Sequence, residues 1–164
     1  MSDLLIGIGG NQGNRVDNLK KIRGRIDKQL GKILKESPLI ESEPWGFDSD
    51  NWFLNQVVLL KCKLEPRAIL KIIHEIEAEF GRERSPEYAD RLVDIDVLFY
   101  GGIILNDSEL QIPHPRLHKR LFVMKPLVEL MPDLIHPVFH KSCRALLKEC
   151  SDQSICRWYH GKAD

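Results

Sequence analysis

Two acidic side chains stand two residues apart inside an otherwise apolar stretch of the chain. Asp94 and Asp96 lie within residues 92–100 (LVDIDVLFY), directly after Arg91. The β-branched and aromatic residues of this stretch, and the two glycines that follow it, predict a strand. Because side chains alternate along a strand, both carboxylates should face the same way. Two like charges held together among apolar residues need a positive partner, and Mg²⁺ is a suitable one for oxygen ligands.

The Asp94 and Asp96 pair alone leaves two interpretations open. One is a magnesium site completed by the phosphate oxygens of a substrate, and the other is a strand face whose carboxylates form salt bridges with nearby arginines. A pattern of two aspartates around one residue is short and common, so it does not decide between them.

An arginine-rich segment immediately precedes the Asp pair. Residues 81–91 (GRERSPEYADR) contain Arg82, Arg84 and Arg91 and are predicted to form a loop. The planar fork of arginine matches phosphate oxygens, and a loop can close over a polyphosphate. The interleaved acidic residues offer the alternative of ordinary surface ion pairs. The position of the arginines beside two carboxylates favours a site for a magnesium-bound polyphosphate.

A second cationic cluster lies downstream in residues 113–122 (PHPRLHKRLF). His114 stands between two prolines, which cannot both continue a regular helix, so we expect its ring in a loop. Histidine and arginine next to an aromatic ring would suit a nucleotide phosphate and a flat heterocycle. A histidine with a purely structural hydrogen bond is the alternative.

Composition excludes several classes of function. Lys plus Arg equals Asp plus Glu, at 24 each, so no overall basic field predicts a nucleic-acid partner. No apolar run approaches the roughly 20 residues that span a bilayer, so no membrane partner is expected. The N-terminal residues lack a basic and apolar export signal, and the four cysteines form no C-x-x-C pair. We therefore expect a cytoplasmic protein with reduced thiols and no structural zinc.

Hydrophobic periodicity predicts the order β-α-β-β-α-β over the first hundred residues. This order is typical of an α+β fold with a ferredoxin-like core, in which helices pack on one face of an antiparallel sheet. Two further helices, over Leu121–Leu130 and Cys143–Cys150, are predicted to form a C-terminal helical extension of a single domain spanning 1–164. Residues 33–43 are predicted as one strand with Pro38 at an edge or bulge, and residues 103–105 as a strand that pairs back on the acidic strand.

Several motifs in this order resemble the 6-hydroxymethyl-7,8-dihydropterin pyrophosphokinase family of folate biosynthesis, from about Leu4 to about Leu147. Ordered motifs are far more specific together than singly. They are Gly9-Gly10-Asn11, Phe53-Leu54-Asn55, residues 81–84 (GRER), residues 91–96 (RLVDID), residues 113–122, residues 126–130 (PLVEL) and residues 132–137 (PDLIHP).

The resemblance implies an ATP-dependent diphosphotransferase. Such an enzyme moves the diphosphate of ATP onto the hydroxymethyl oxygen of the pterin by in-line attack on the β-phosphorus, and it releases AMP. The implied cofactor is Mg²⁺, two ions per active site, with Asp94 and Asp96 as ligands. The implied partners are the two small-molecule substrates, and the expected assembly is a monomer or weak dimer.

The resemblance also implies three groups of site residues. The catalytic group is Arg82, Arg91, Asp94 and Asp96. The ATP-binding group is His74, Arg84, Val97, His114 and Arg120. The pterin-binding group is Ser42, Glu43, Trp45, Phe53, Asn55 and Phe122. Glu77 matches a site-supporting acid of the family.

Some positions depart from the family pattern, and other functions stay open. Leu92 stands where a small hydroxyl residue is usual, Pro115 where some members have tyrosine, and Tyr88 is the only aromatic in a loop that often carries tryptophan. Phe53 and Phe122 taken singly also fit ordinary core packing. A catalytically silent ferredoxin-like module and a different metal-dependent nucleotidyl- or phosphotransferase remain the alternatives.

Overall fold

The computed structural model of the chain describes residues 1–81 and 89–161. Its strands and helices follow one another in a mixed α and β order. They are β1 (Ser2–Gly10), α1 (Arg15–Gln29), β2 (Ile33–Glu36), β3 (Ile40–Ser42), β4 (Phe53–Cys62), α2 (Pro66–Glu79), β5 (Asp94–Tyr100), β6 (Leu105–Asn106), β7 (Gln111–Ile112), α3 (Leu121–Leu130), α4 (Cys143–Glu149) and β8 (Cys156–Trp158).

The main sheet is antiparallel, with β4 at its centre and β1 between β4 and β5. Its strand order is β5-β1-β4-β3-β8, and β2 also pairs with β4. The long β1–β4 pairing runs from Ser2 opposite Cys62 to Gly10 opposite Leu54. The acidic strand β5 lies on the other side of β1. The predicted antiparallel sheet and mixed α and β composition are therefore confirmed.

Helices cover both faces of this sheet. One apolar cluster joins Leu4 and Ile6 of β1 to Ile22 and Ile26 of α1 and Ile73 of α2. The opposite cluster joins the other face of the sheet to α3 and α4, through residues such as Phe99, Met124, Leu127 and Leu146. The alternating apolar residues of β1 thus fill two separate cores, and the site lies on the α3 side.

Local sequence signals account for the helix boundaries near the site. The side chain of Asn14 caps α1 by accepting a hydrogen bond from the backbone N–H of Asp17 at 3.0 Å. Pro66 occupies the first turn of α2, where its missing N–H leaves no hydrogen bond unmade. None of the helices in the described part of the chain has the length and apolar character that crossing a bilayer requires.

Two predicted strands were wrong in detail. The strand predicted over residues 33–43 is split into β2 and β3. Pro38 has no N–H to donate, and Ser37 instead binds Val57 twice, through its backbone N–H and its hydroxyl oxygen, each at 2.9 Å. The segment after β5 does not pair back on it. Leu105 and Asn106 pair with Ile112 and Gln111 in a separate two-stranded sheet. The carbonyl of Leu98 in β5 accepts its hydrogen bond from the backbone N–H of His114 instead, at 3.0 Å.

Candidate active site

The strand pairing places Asp94 of β5 and the buried amide of Asn55 on opposite sides of the same residue of β1. Gly9 of β1 lies opposite Asp94 of β5 on one side and opposite Asn55 of β4 on the other. Directly paired residues of neighbouring strands point to the same face, so Asp94 and Asn55 share a face with only a glycine between them. Asp96 follows two residues along the same face, opposite Gly7. Gly7 and Gly9 of β1 add no side chain to this face, so the neighbouring side chains can lie over β1.

Gly9 and Gly10 are required by close contacts. A Cβ atom on Gly9 would lie 2.4 Å from the side-chain oxygen of Asn55, and one on Gly10 would lie 2.3 Å from the backbone oxygen of Leu92. Both distances are far below van der Waals contact. Any side chain here would displace either the amide of Asn55 or the backbone that leads into Asp94.

Asn11 fastens the segment before β5, a role that sequence reasoning missed. Its backbone N–H donates to the carbonyl of Arg91 at 2.8 Å, and its side-chain oxygen accepts from the backbone N–H of Arg91 at 2.7 Å. Its side-chain amide donates to Asp90 and to the carbonyl of Asn51. Asn11 itself is only 4% exposed, so its side chain is shielded from water at the centre of these contacts. The Gly-Gly-Asn motif was visible in the sequence, but its partners eighty residues away were not.

The two carboxylates have different neighbours. The guanidinium of Arg91 donates to a carboxylate oxygen of Asp94 at 3.2 Å. A carboxylate oxygen of Asp96 lies 3.9 Å from Nε2 of His114. These four side chains are partly shielded, with exposed fractions of 17% for Arg91, 29% for Asp94, 35% for Asp96 and 18% for His114. Both interpretations of the Asp pair are therefore compatible: Asp94 is salt-bridged, and both carboxylates face one cleft.

The surroundings of His114 favour the neutral form of its ring. Burial lowers the pKa of His114 to about 4, and the positive charges of Arg120 and Arg116 act in the same direction, against the opposing effect of Asp94. Its Nδ1 accepts a hydrogen bond from the backbone N–H of Arg116 at 3.1 Å. In the neutral ring the proton is therefore on Nε2, the atom that faces Asp96.

Glu77 of α2 is attached to the backbone between the two aspartates. Its carboxylate accepts a hydrogen bond from the backbone N–H of Ile95 at 3.2 Å, and Glu77 is 7% exposed. This contact lies on the sheet face opposite to the Asp side chains. It links helix α2 to strand β5, which carries both aspartates.

The Asp face opens into a cleft of about 210 Å³, here called the first cleft. It collects all six residues predicted to bind the pterin, together with Arg91, both aspartates, His114 and Arg120. Arg116 of the predicted cationic cluster also lines it, as do Phe47 and Ala89, which no sequence pattern singled out. The predicted residues in the first cleft are Ser42, Glu43, Trp45, Phe53, Asn55, Arg91, Asp94, Asp96, His114, Arg120 and Phe122.

The aromatic end of the first cleft is organised around Arg120. Its guanidinium lies 4.7 Å from the ring centre of Trp45 and 5.7 Å from that of Phe122. Phe47 packs edge-on against Phe53, with ring centres 6.1 Å apart. Asn55 donates from its side-chain nitrogen to the hydroxyl of Ser42 at 2.9 Å, which fixes the orientation of its amide. The result is a slot with aromatic walls and an oriented amide at its floor, suited to a flat polar heterocycle.

A second cleft of about 420 Å³ lies on the other side of Asp96 and His114, which line both clefts. It includes His74 and Val97, two of the residues predicted to bind ATP. Arg120, from the same predicted group, lies in the first cleft instead. Arg82, Arg84 and Tyr88 lie outside the described residues. Two different ligands could therefore meet at Asp96 and His114.

The donor set of this junction suits a magnesium ion bound together with a polyphosphate. Within residues 1–81 and 89–161, no group of three or more His, Cys, Asp or Glu side chains is arranged to hold a metal ion by itself. Magnesium sites that use substrate phosphates commonly take only one or two protein carboxylates. Asp94 and Asp96 match that pattern, since both reach the first cleft from one strand face.

Comparison with known proteins assigns the family. The family model for 7,8-dihydro-6-hydroxymethylpterin-pyrophosphokinase (HPPK) matches residues 5–132. The chain belongs to the HPPK family.

Curated relatives agree with the HPPK assignment. The 2-amino-4-hydroxy-6-hydroxymethyldihydropteridine pyrophosphokinase of Aquifex aeolicus is 34% identical over 95% of this chain and 97% of its own length. The protein of the same name from Porphyromonas gingivalis is 38% identical over 84% of this chain and 95% of its own length. The folic acid synthesis protein fol1 of Pneumocystis carinii is 36% identical over 92% of this chain, which spans only 20% of that longer protein.

Solved structures agree at the level of the fold. A crystal structure described as HPPK-DHPS in complex with substrates superposes with a TM-score of 0.75 and 15% identity over 90% of this chain. This chain spans 43% of that one. Because the identity is low, the superposition supports the HPPK fold and carries no residue roles.

Proposed function

We propose that the protein transfers the diphosphate of ATP to the hydroxymethyl oxygen of 6-hydroxymethyl-7,8-dihydropterin and releases AMP, a reaction of folate biosynthesis. Membership of the HPPK family supports this activity. The single structural observation that carries it is the junction at Asp96 and His114, which line both clefts. A reaction that joins a heterocycle to a nucleotide phosphate needs its two substrates to meet at one point.

The pterin belongs in the first cleft under this proposal. Phe53 and Phe122 would stack on the flat ring, and the amide of Asn55 would hydrogen-bond to its polar edge. Ser42, Glu43 and Trp45 would complete the wall. The hydroxymethyl group would then point toward the two aspartates, and ATP would occupy the second cleft with contacts from His74 and Val97.

The chemistry requires alignment and charge neutralisation more than a nucleophilic side chain. The hydroxymethyl oxygen forms a bond to the β-phosphorus, and the bond from that phosphorus to the oxygen bridging to the α-phosphate breaks. AMP leaves with the bridging oxygen, and the hydroxyl proton is released to solvent. Arg91 and Arg120 would offset charge on the phosphates, and Nε2–H of His114 would donate to a phosphate oxygen. Arg82 and Arg84 are proposed to act on the same phosphates.

Asp94 and Asp96 would hold two Mg²⁺ on the triphosphate. When bound, these ions draw off negative charge from the phosphate oxygens. Arg91 would also orient one of these two carboxylates. Its contact with Asp94 keeps one carboxylate oriented before any substrate arrives.

We further infer a ferredoxin-like βαββαβ core in which β2 and β3 together take the place of one strand. The strand order β5-β1-β4-β3 supports this topology, and α3 and α4 would be its helical extension. We propose one pyrophosphokinase domain over 1–164, a cytoplasmic location and a monomer or weak dimer. Neither nucleic acid nor a membrane is proposed as a partner.

One assay tests the proposed function against its alternatives. The protein is incubated with ATP, Mg²⁺ and the hydroxymethyl dihydropterin, and the nucleotide products are separated. We expect AMP to form only when the pterin is present. Formation of ADP, or ATP turnover that ignores the pterin, would favour another transferase, and no turnover with no magnesium-dependent ATP binding would favour a silent module.

A further inference from the structure

Residues 151–160, here called the tail, follow the part of the chain that the HPPK family model matches and lie against two walls of the first cleft. The tail contains β8, which pairs antiparallel with β3 and places Cys156 opposite Ser42. Its beginning contacts the start of α3. None of its residues, all of which the structure describes, lines the cleft itself.

The first contact fixes the start of α3. Arg120, the residue that precedes this helix, provides no side-chain cap. Asp152 takes this role from 31 residues away in the sequence, since its carboxylate accepts a hydrogen bond from the backbone N–H of Leu121 at 2.9 Å. A carboxylate at a helix N-terminus also interacts favourably with the helix dipole. Leu121 lies between Arg120 and Phe122, so this bond holds the backbone of two cleft residues.

Asp152 is itself held in place. Its other carboxylate oxygen accepts hydrogen bonds from the backbone N–H of Ser154 at 2.9 Å and from the hydroxyl of Ser154 at 2.6 Å. Burial alone would raise the pKa of Asp152, but the hydrogen bonds from Ser154 and Leu121 outweigh it and lower the pKa below its ordinary value. The carboxylate is therefore charged and oriented at neutral pH.

The second contact fixes the wall formed by β3. The backbone N–H of Glu43 donates to the carbonyl of Ile155 at 3.1 Å, and the carboxylate of Glu43 accepts from the backbone N–H of Ile155 at 2.8 Å. Ser42, the residue before Glu43, is held by its pairing with Cys156. Because the hydroxyl of Ser42 accepts a hydrogen bond from Asn55, the tail also supports the orientation of that amide.

We propose that the tail braces the pterin end of the first cleft and that Asp152 is a positioning residue for Phe122. This inference rests on the proposed function, which assigns the pterin to that cleft. The second cleft is built from α2, β5 and residues 107–115, whereas the contacts of the tail described above go to β3 and to the start of α3. Loss of the brace should therefore weaken pterin binding much more than ATP binding, because Arg120 is only one of several residues proposed to contact ATP and the others that the structure describes are not held by the tail.

The test compares two substitutions of Asp152. For Asp152→Ala we expect KM for the pterin to rise about three- to thirty-fold, with KM for ATP within about two-fold of wild type. Asn keeps one oxygen acceptor for the N–H of Leu121 but loses the acceptor for the N–H of Ser154, so Asp152→Asn should restore part of the pterin affinity. A rescue of this kind separates positioning from a need for the charge.

A matched control removes the same type of helix cap away from the cleft. The hydroxyl of Ser142 caps α4 by accepting from the backbone N–H of Ala145 at 3.1 Å. Ser142→Ala should lower the unfolding temperature as Asp152→Ala does, but it should leave both KM values unchanged. An unchanged pterin KM in Asp152→Ala, an equal rise for both substrates, or the same pterin defect in Ser142→Ala would overturn the proposal.

A second measurement keeps this inference separate from the proposed function. If the wild-type protein forms no AMP with the pterin, the proposed function fails, and kinetics cannot test the brace. Hydrogen–deuterium exchange of the ligand-free variants then decides. Faster exchange in residues 40–43 and 120–123 of Asp152→Ala, absent in Ser142→Ala, supports the brace, and unchanged exchange in those segments overturns it.

Discussion

The carboxylate of Glu77 accepts a hydrogen bond from the backbone N–H of Ile95, so helix α2 holds the strand at the residue between Asp94 and Asp96. The side chains of the two aspartates point to the opposite face of the sheet. Their spacing toward a ligand therefore depends on a contact from the far side of the strand. Residues that act in this way are as important to a metal-phosphate site as its ligands.

Removing this support should reduce both stability and turnover. Glu77→Ala leaves a buried N–H unsatisfied, which costs about 1–3 kcal/mol of unfolding free energy, and we expect kcat to fall about ten-fold or more. Glu77→Gln keeps an oxygen acceptor and should recover much of the activity. Urea unfolding and AMP formation measure the two effects.

The control for Glu77 lies two residues along the same helix. Glu79 forms an exposed ion pair with Arg25 at 3.1 Å, so Glu79→Ala should change stability by less than about 1 kcal/mol and leave kcat unchanged. If Glu77→Ala changed the unfolding free energy and kcat as little as Glu79→Ala, the contact between Glu77 and Ile95 would not support the site.

Gly9 should be intolerant of even a methyl group. Gly9→Ala forces its Cβ against the side-chain oxygen of Asn55, so the amide must move, and KM for the pterin should rise at least about ten-fold. A Cβ atom on Gly24, inside α1, would meet no atom within 4 Å beyond the backbone of its own helix, and Gly24→Ala should stabilise the helix by about 0.5–1 kcal/mol. Equal pterin KM values for the two variants would contradict the assigned role of Asn55.

Asp96 should be essential for turnover but not for folding. Asp96→Asn keeps the size of the side chain and removes the charge, and we expect AMP formation to fall at least about a hundred-fold. Asp3 offers a control in the same sheet, since it forms an exposed ion pair with Lys61 at 2.6 Å. Asp3→Asn should retain full activity. Activity within a few-fold of wild type in Asp96→Asn would remove the metal-ligand role.

His136 should make stability depend on pH. Burial lowers the pKa of His136 from 6.5 to about 4, and the nearby His118 and His140 act in the same direction. The unfolded chain therefore binds more protons than the folded one between these values. The contribution of His136 to the unfolding free energy should be complete above pH 6.5 and should be lost as the pH falls toward 4. At pH 5 this residue should lower the unfolding free energy by at most about 2 kcal/mol.

The variant His136→Asn isolates this contribution. An asparagine oxygen can replace Nδ1 of His136, which accepts hydrogen bonds from the backbone N–H groups of Val138 and Phe139. The loss of unfolding free energy between pH 7 and pH 5 should be smaller in His136→Asn than in wild type. His114 has a similarly lowered pKa and remains in both proteins. Identical pH slopes for the two would show that His136 does not titrate in this window.

The sequence predicted those parts of the site that depend on local pattern. Alternation along β5 predicted that Asp94 and Asp96 share one face, and the prolines around His114 predicted a loop. It could not predict that Arg120 would lie between Trp45 and Phe122 in the first cleft, because that contact depends on how α3 packs against the sheet.

Long-range hydrogen bonds account for most of what was missed. Asn11 binds a segment eighty residues away, and Asp152 caps a helix from the tail. Neither partner can be read from spacing or periodicity, because each bond depends on the finished fold. The split of the predicted 33–43 strand has a similar origin, since Ser37 pairs with Val57 across the sheet.

The fate of the β-phosphorus tests the central claim most directly. The protein is given ATP labelled at the β-phosphorus, Mg²⁺ and the hydroxymethyl dihydropterin, and every labelled product is separated and counted. We expect the label to appear on the pterin as its diphosphate, in an amount equal to the unlabelled AMP formed. Label recovered in ADP or in free pyrophosphate, with none on the pterin, would contradict diphosphate transfer at this site.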